Sequence, residues 1–212
     1  MALKKSTAST ALRPVEARDY PRDTDGLIAQ LTDADASVRR WAARDLAAHP
    51  QAADILCTRL SDEPDASVRA VIFSSVALMG TGVGGSVVVQ SLLPLLRSED
   101  PAMRNGAIEV LASLPDAVAP HIETLLSDAD GDVRIFTVNL LGDLKHPKVP
   151  QWLGQVLVNE ASVNVVGAAL EVLAEVGTPA SMPALHAAAK RFADDAYIGF
   201  AVNLAIERIG VS

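Results

Sequence analysis

Apolar residues recur along the chain at helical spacing behind one repeated element. Asp-Ala-Ser-Val-Arg occurs at 35–39 and again at 65–69, and the related Asp-Pro-Ala-Met-Arg and Asp-Gly-Asp-Val-Arg stand at 100–104 and 130–134. After Val38 apolar residues fall at Ala42, Ala43 and Leu46. After Val68 they fall at Ile72, Phe73, Val76 and Met79, after Met103 at Ala107, Ile108, Leu111 and Leu114, and after Val133 at Val138, Leu141 and Leu144. Offsets of four, five, eight and eleven trace one face of an α-helix. The same offsets without the pentapeptide follow Val165 and Ile198, so the key positions are 38, 68, 103, 133, 165 and 198, with spacings of 30, 35, 30, 32 and 33 residues.

A second apolar stretch precedes most of these helices: 26–31, 53–60, 121–126, 151–157 and 184–192. Pro120, Pro150 and Pro183 stand where the first turn of such a helix would lie, a position that tolerates a missing N–H. Pro94 interrupts its stretch and predicts a kink. Pro50, Gly80, Pro115, Gly177 and Gly210 are read as stops of the second helices. The unit is therefore a helix–turn–helix of about thirty residues, and a period in this range predicts a solenoid. The expected fold is all-α, an α-solenoid of six helix pairs forming a right-handed superhelix over residues 23–212. Residues 1–22, polar and holding Pro14 and Pro21, are expected to form a mobile N-terminal arm.

In the repeated pentapeptide the aspartate meets the N-terminus of the second helix, where its carboxylate accepts from unpaired N–H groups and complements the helix dipole. The arginine four residues on lies on the same side. It is expected to pair with the aspartate of its own or the adjacent repeat, forming a seam of Asp35, Arg39, Asp65, Arg69, Asp100, Arg104, Asp130 and Arg134. The arginine position holds Val166 and Gly199 in the last two repeats, so the seam is expected to end there.

Units such as LTDADASVRRWAARDL and LLRSEDPAMRNGAIEVLASLP resemble HEAT repeats, in particular the HEAT-like repeats named after the phycobilisome linker-chromophore lyases. The resemblance covers roughly residues 24–210. It implies an adaptor or scaffold in most of the family and an enzyme in a few branches. The lyase branch acts on bilin chromophores, and no catalytic residue of it is matched here. The di-iron hydroxylase branch holds its metal with His-Glu pairs. None of His49, His121, His146 and His186 is followed by glutamate.

Composition narrows the function further. The net charge is −8, and it is uneven: residues 1–115 carry 12 basic and 14 acidic side chains, residues 116–212 carry 6 and 12. An acidic domain repels phosphate backbones, which disfavours nucleic acid and with it a DNA-binding HEAT-like protein of the alkylpurine glycosylase type. A single cysteine, Cys57, excludes an internal disulfide and a cysteine metal cluster and fits a reducing cytoplasm. No apolar run reaches the length of a membrane helix.

Motifs suggestive of chemistry fail on context. Gly80, Gly82 and Gly85 satisfy G-x-G-x-x-G but follow a repeat helix, whereas a dinucleotide loop follows a strand. The acids at 128–132 have glycine at the wrong place for a calcium loop. Cys57 lies in an apolar helix and reads as core. The expected function is thus a non-catalytic scaffold, without cofactor, that binds another protein or a peptide on the concave face formed by the second helices. The alternative is a chromophore-lyase-like factor acting on a tetrapyrrole-protein. Positions two, three, six and seven residues after the key residue point toward that face or flank it. They nominate Arg40, Trp41, Arg44, Asn105, Glu109, Ile135, Phe136, Asn139 and Phe200 as contacts, with Ile135, Phe136 and Leu140 as an apolar anchor.

Overall fold

The computed structural model describes residues 21–82 and 84–211. Twelve α-helices occur among them, with no strand, and they pair in chain order. The first helices are α1 (Thr24–Gln30), α3 (Ala53–Asp62), α5 (Gly85–Leu92), α7 (Pro115–Leu126), α9 (Val149–Asn159) and α11 (Met182–Arg191). The second helices are α2 (Ala36–Asp45), α4 (Ala66–Gly80), α6 (Pro101–Ala112), α8 (Gly131–Asp143), α10 (Val163–Val176) and α12 (Ala196–Val211). Each second helix packs on the next, α2 on α4 through to α10 on α12, and the first helices from α3 to α11 do the same. Two parallel rows of stacked helices make the chain an α-solenoid of six repeats.

The periodic apolar positions form the core between the rows. Val68, Ile72 and Val76 of α4, Ala107 and Leu111 of α6, and Val138 and Leu141 of α8 have no exposed surface. From the first helices Leu56, Val88, Val118, Ile122 and Leu153 meet them. Trp152 is 1% exposed and stacks on His146, with ring centres 4.9 Å apart. Burying each such aliphatic side chain stabilises by about 1.5–3 kcal/mol. The amphipathic stripe, rather than intrinsic helix propensity, therefore holds these short helices in place.

Several boundaries differ from those read in the sequence. Pro115 opens α7 instead of ending its predecessor, which places Pro120 inside that helix. Pro150 and Pro183 do lie in the first turns of α9 and α11. At Pro94 the backbone tightens: α5 ends at Leu92 and continues as a 3-10 segment, Leu93–Arg97. No described residue, glycine included, has a positive φ, so none of the described glycines forms a left-handed cap, and Gly80 and Gly85 serve close approach instead. A Cβ on Gly80 would stand 2.5 Å from the Leu114 side chain, and one on Gly85 would stand 2.8 Å from the Gly80 carbonyl oxygen. Most of the expected N-terminal arm, including Pro14, lies outside the described residues. Its last two, Pro21 and Arg22, are tied to the first repeat: the Pro21 carbonyl accepts from Gln30 Nε2 at 2.7 Å, and Arg22 pairs with Asp45 at 2.8 Å.

Candidate functional site

The turns that start the second helices are built alike. Asp35, Asp65, Asp100 and Asp130 each accept, through Oδ1, the backbone N–H two residues on, at 2.8–2.9 Å. Asp195 does the same for α12, accepting from the N–H groups of Tyr197 and Ile198 at 3.0 Å. An acceptor two residues before the cap in turn receives the cap's own N–H. Asp33, Glu63, Ser98, Asp128 and Glu160 hold this place, at 2.7–3.2 Å. The arginine closes the turn from the other side: Nη1 of Arg39, Arg69, Arg104 and Arg134 donates to the carbonyl of Asp33, Glu63, Ser98 and Asp128 respectively. Where Val166 replaces the arginine, Arg191 of the sixth repeat donates to the carbonyls of Leu157 and Glu160.

The acidic partners of these arginines are mostly not the turn aspartates. Arg39 grips Glu63 of the next repeat with two 2.8 Å hydrogen bonds, and Arg134 holds Glu160 in the same way at 2.6 and 3.3 Å. Arg69 lies 3.7 Å from Asp100, the one seam arginine paired with a turn aspartate among the described residues. Among the described residues Arg104 has no carboxylate partner; its guanidinium lies 4.4 Å from the ring centre of Phe136. Burial pushes the Glu63 and Glu160 carboxyls up. Hydrogen bonds from Arg39 and Arg134, and from the amides of Asp65 and Ser162, outweigh it and hold both below the ordinary range.

The face formed by the second helices carries two hollows, one on each side of α6. The first, about 490 Å³, lies between α4 and α6. Arg69, Ala70, Phe73, Ser74, Ala77, Asn105, Gly106 and Glu109 contribute to its walls. The second, about 700 Å³, lies between α6 and α8, and Asn105, Ile108, Glu109, Ala112, Phe136, Asn139, Asp143 and Lys145 contribute to it. Asn105, Glu109 and Ser113 line both, so the two form one trough across the third repeat. Gly106 makes room for it: a Cβ there would stand 2.4 Å from the Phe73 ring.

Four of the nominated contacts, Asn105, Glu109, Phe136 and Asn139, meet in this trough. The others do not. Arg40, Trp41 and Arg44 belong to α2, where Arg44 lies 5.3 Å from the Trp41 ring centre. Ile135 is half-buried against the core, and Leu140, expected at the surface, has no exposed area because it faces the inside of the stack. Phe200 is 67% exposed on α12 beside Tyr197 and Leu204. Phe73, Gly106, Asp143 and Lys145 were missed. A large ring over a glycine is recognisable only once α4 and α6 are known to be neighbours.

Sites for chemistry are sparse. No group of three or more His, Cys, Asp or Glu able to hold a metal ion occurs among the described residues. Burial pushes the Cys57 thiol up to about 11. Of the acids at 128–132, the carboxylates of Asp128 and Asp130 accept turn hydrogen bonds, and Asp128 also pairs with Arg97. No described helix is long and apolar enough to cross a membrane.

Several solved structures are similar to this chain over most of its length. A designed armadillo repeat protein in complex with the peptide (KR)4 is 16% identical, with 88% of this chain and 99% of that one covered and a TM-score of 0.44. An engineered protein from a structural genomics consortium is 20% identical over 89% and 97%, with a TM-score of 0.43. The complex of CpcE and CpcF of the phycocyanin lyase from Nostoc sp. is 18% identical over 93% and 99%, with a TM-score of 0.39. No curated protein matches the chain in sequence. A family model for HEAT repeats matches residues 24–112 and 118–198, most of the chain, and the protein belongs to the HEAT-repeat family.

Proposed function

We propose that the protein is a non-catalytic scaffold that holds an extended segment of another protein in the trough across its third repeat. The observation that carries this reading is the pair of adjoining hollows sharing Asn105 and Glu109. Their walls are apolar at Phe73, Ala70 and Ala77 on one side and at Ile108, Ala112 and Phe136 on the other. A few polar groups set into an apolar concavity are the usual make-up of a binding site. Two neighbouring hollows accept successive side chains of a ligand. The amides of Asn105 and Asn139 each offer a donor and an acceptor, matching the N–H and C=O of an extended backbone.

The test uses peptides selected from a random twelve-residue display library against the purified chain, with affinity measured by fluorescence anisotropy. Phe136→Ala and Asn105→Ala should each weaken binding by about thirtyfold, the size of a hot-spot truncation. Gln155→Ala, on the first-helix row, should leave it unchanged. Peptides that bind Phe136→Ala and Asn105→Ala as tightly as the unaltered chain would remove the trough from consideration.

A further inference from the structure

Many charged side chains are engaged at the junctions between successive repeats. At the first junction Arg39 holds Glu63, and at the fourth Arg134 holds Glu160. Arg69 pairs with Asp100 at the second, and Arg97 with Asp128 at the third. Four charges on the second helices stand apart from these ties. Among the described residues Arg40, Arg44, Glu109 and Asp143 enter no ion pair.

These charges are sorted along the stack. Side chains two, six and ten residues after each key position share one side of their helix. That side is the wall of the trough, since Ser74, Asn105, Glu109, Asn139 and Asp143 all line it. The helices α2 and α10 continue the row on either side. On α2 these places bring Arg40 and Arg44. On α4 they bring no charge, and Leu78 among them is 66% exposed. On α6 they bring Glu109, on α8 Asp143, and on α10 Glu171 and Glu175. Glu171 accepts from the Tyr197 hydroxyl and Glu175 lies 4.0 Å from Arg208, but both acids are exposed and keep room for an incoming cation. Lys145 is the one basic side chain among those lining the second hollow, against the two carboxylates of Glu109 and Asp143.

The row therefore runs from cations, through an apolar step, to three successive helices bearing carboxylates. Neighbouring helices in such a row stand about 8–10 Å apart, and an extended chain rises about 3.3 Å per residue. One repeat thus corresponds to about three residues of a segment laid across the row.

We infer that the segment held in the trough carries an ordered set of charges. Carboxylates lie over α2, an aliphatic side chain lies over α4, and lysine or arginine follows at about every third residue over α6, α8 and α10. This rests on the reading of the trough as the seat of an extended segment, and adds what that segment must carry. A uniformly basic segment meets Arg40 and Arg44 with like charge, and a uniformly acidic one meets Glu109, Asp143 and Glu171, so the face selects against both. The order of charges holds for either backbone direction.

The probes are labelled peptides of about thirteen residues, which span the five helices at this spacing. The ordered probe has glutamate at its first two places, leucine at the fourth, lysine at the seventh, tenth and thirteenth, and serine elsewhere. The swapped probe exchanges glutamate and lysine, and a third carries lysine at every charged place. Each is made in both backbone directions, and the tighter is compared by fluorescence anisotropy on the full chain at low ionic strength, where screening is weak. The ordered probe should bind at least about tenfold tighter than either of the others. A chain with Arg40→Glu, Arg44→Glu, Glu109→Lys and Asp143→Lys, none of them buried, should prefer the swapped probe. Equal affinity for ordered and swapped probes, or for ordered and all-lysine probes, would overturn the charge order. If that affinity still falls in Phe136→Ala, the trough reading stands without it; if Phe136→Ala binds every probe unchanged, the trough reading fails as well. Should all three probes bind too weakly to measure, the library-selected peptides decide: those that lose affinity in Phe136→Ala should show acid, aliphatic and basic residues in this order, and a random order among them would overturn the inference.

Discussion

The guanidinium of Arg39 and the carboxylate of Glu63 meet side by side across the first junction, with Nε to Oε2 and Nη2 to Oε1 both at 2.8 Å. The side chains are only 8% and 0% exposed, and Arg59 adds a third bond to the same carboxylate at 3.1 Å. Removing one partner of such a pair strands the other charge away from water. Arg39→Ala should therefore destabilise by about 3–5 kcal/mol. Arg104, which meets a carbonyl and an aromatic face in place of a carboxylate, should lose only about 1 kcal/mol on replacement by alanine. Urea titrations of the two variants check the ordering. Equal losses would show that a carbonyl and a ring hold an arginine as well as a buried carboxylate does.

Acid should loosen the first and fourth junctions. Glu63 and Glu160 are held below the ordinary range in the folded chain and titrate near pH 4.3 when unfolded. A depressed folded value means that the stabilisation is fully present above about pH 4.3 and is lost as pH falls through the folded value. Melting temperature followed from pH 6 to pH 2.5 should drop below about pH 4, and a Glu63→Gln, Glu160→Gln chain should start lower and fall less steeply. A parallel fall in both chains would assign the acid sensitivity to other carboxylates.

Two glycines should respond oppositely to alanine. At Gly85 the new methyl meets the Gly80 carbonyl oxygen at 2.8 Å and Ala117 at 3.3 Å, so backbone must move. The expected loss is about 1–3 kcal/mol. At Gly199 nothing stands within 4 Å of the new methyl, and alanine in place of glycine should stabilise α12 by up to about 1 kcal/mol. Thermal denaturation of the two variants decides it; a gain at Gly85 would contradict the close approach of the α4 terminus to α5.

Cys57 should be nearly inert in the folded chain. Its thiol is 7% exposed and pushed up to about 11, so at pH 8 the thiolate is about one part in a thousand. Labelling by a disulfide reagent should be at least about a hundredfold slower than in urea. Labelling at the unfolded rate would place Cys57 on a surface, and the packing of α3 would need revision.

The repeat, its length and the inward face of every second helix could be read from the chain alone. A 3.6-residue period with an aspartate before five of the six second helices is local information: the side chain at 65 caps the helix beginning at 66 whatever lies beyond. The membership of the trough was half legible. Offsets from a key residue place Asn105, Glu109, Phe136 and Asn139 on one face, because direction around a helix follows from spacing. What stands opposite each residue does not follow, since it depends on the rise and rotation from one repeat to the next. That relation set Arg39 against Glu63 rather than against an aspartate, and folded Phe73 over Gly106. It also turned Leu140 inward and left Arg104 facing a ring. Pairing across a junction joins residues 24 to 34 positions apart, and only the packed stack of helices brings them within hydrogen-bond reach.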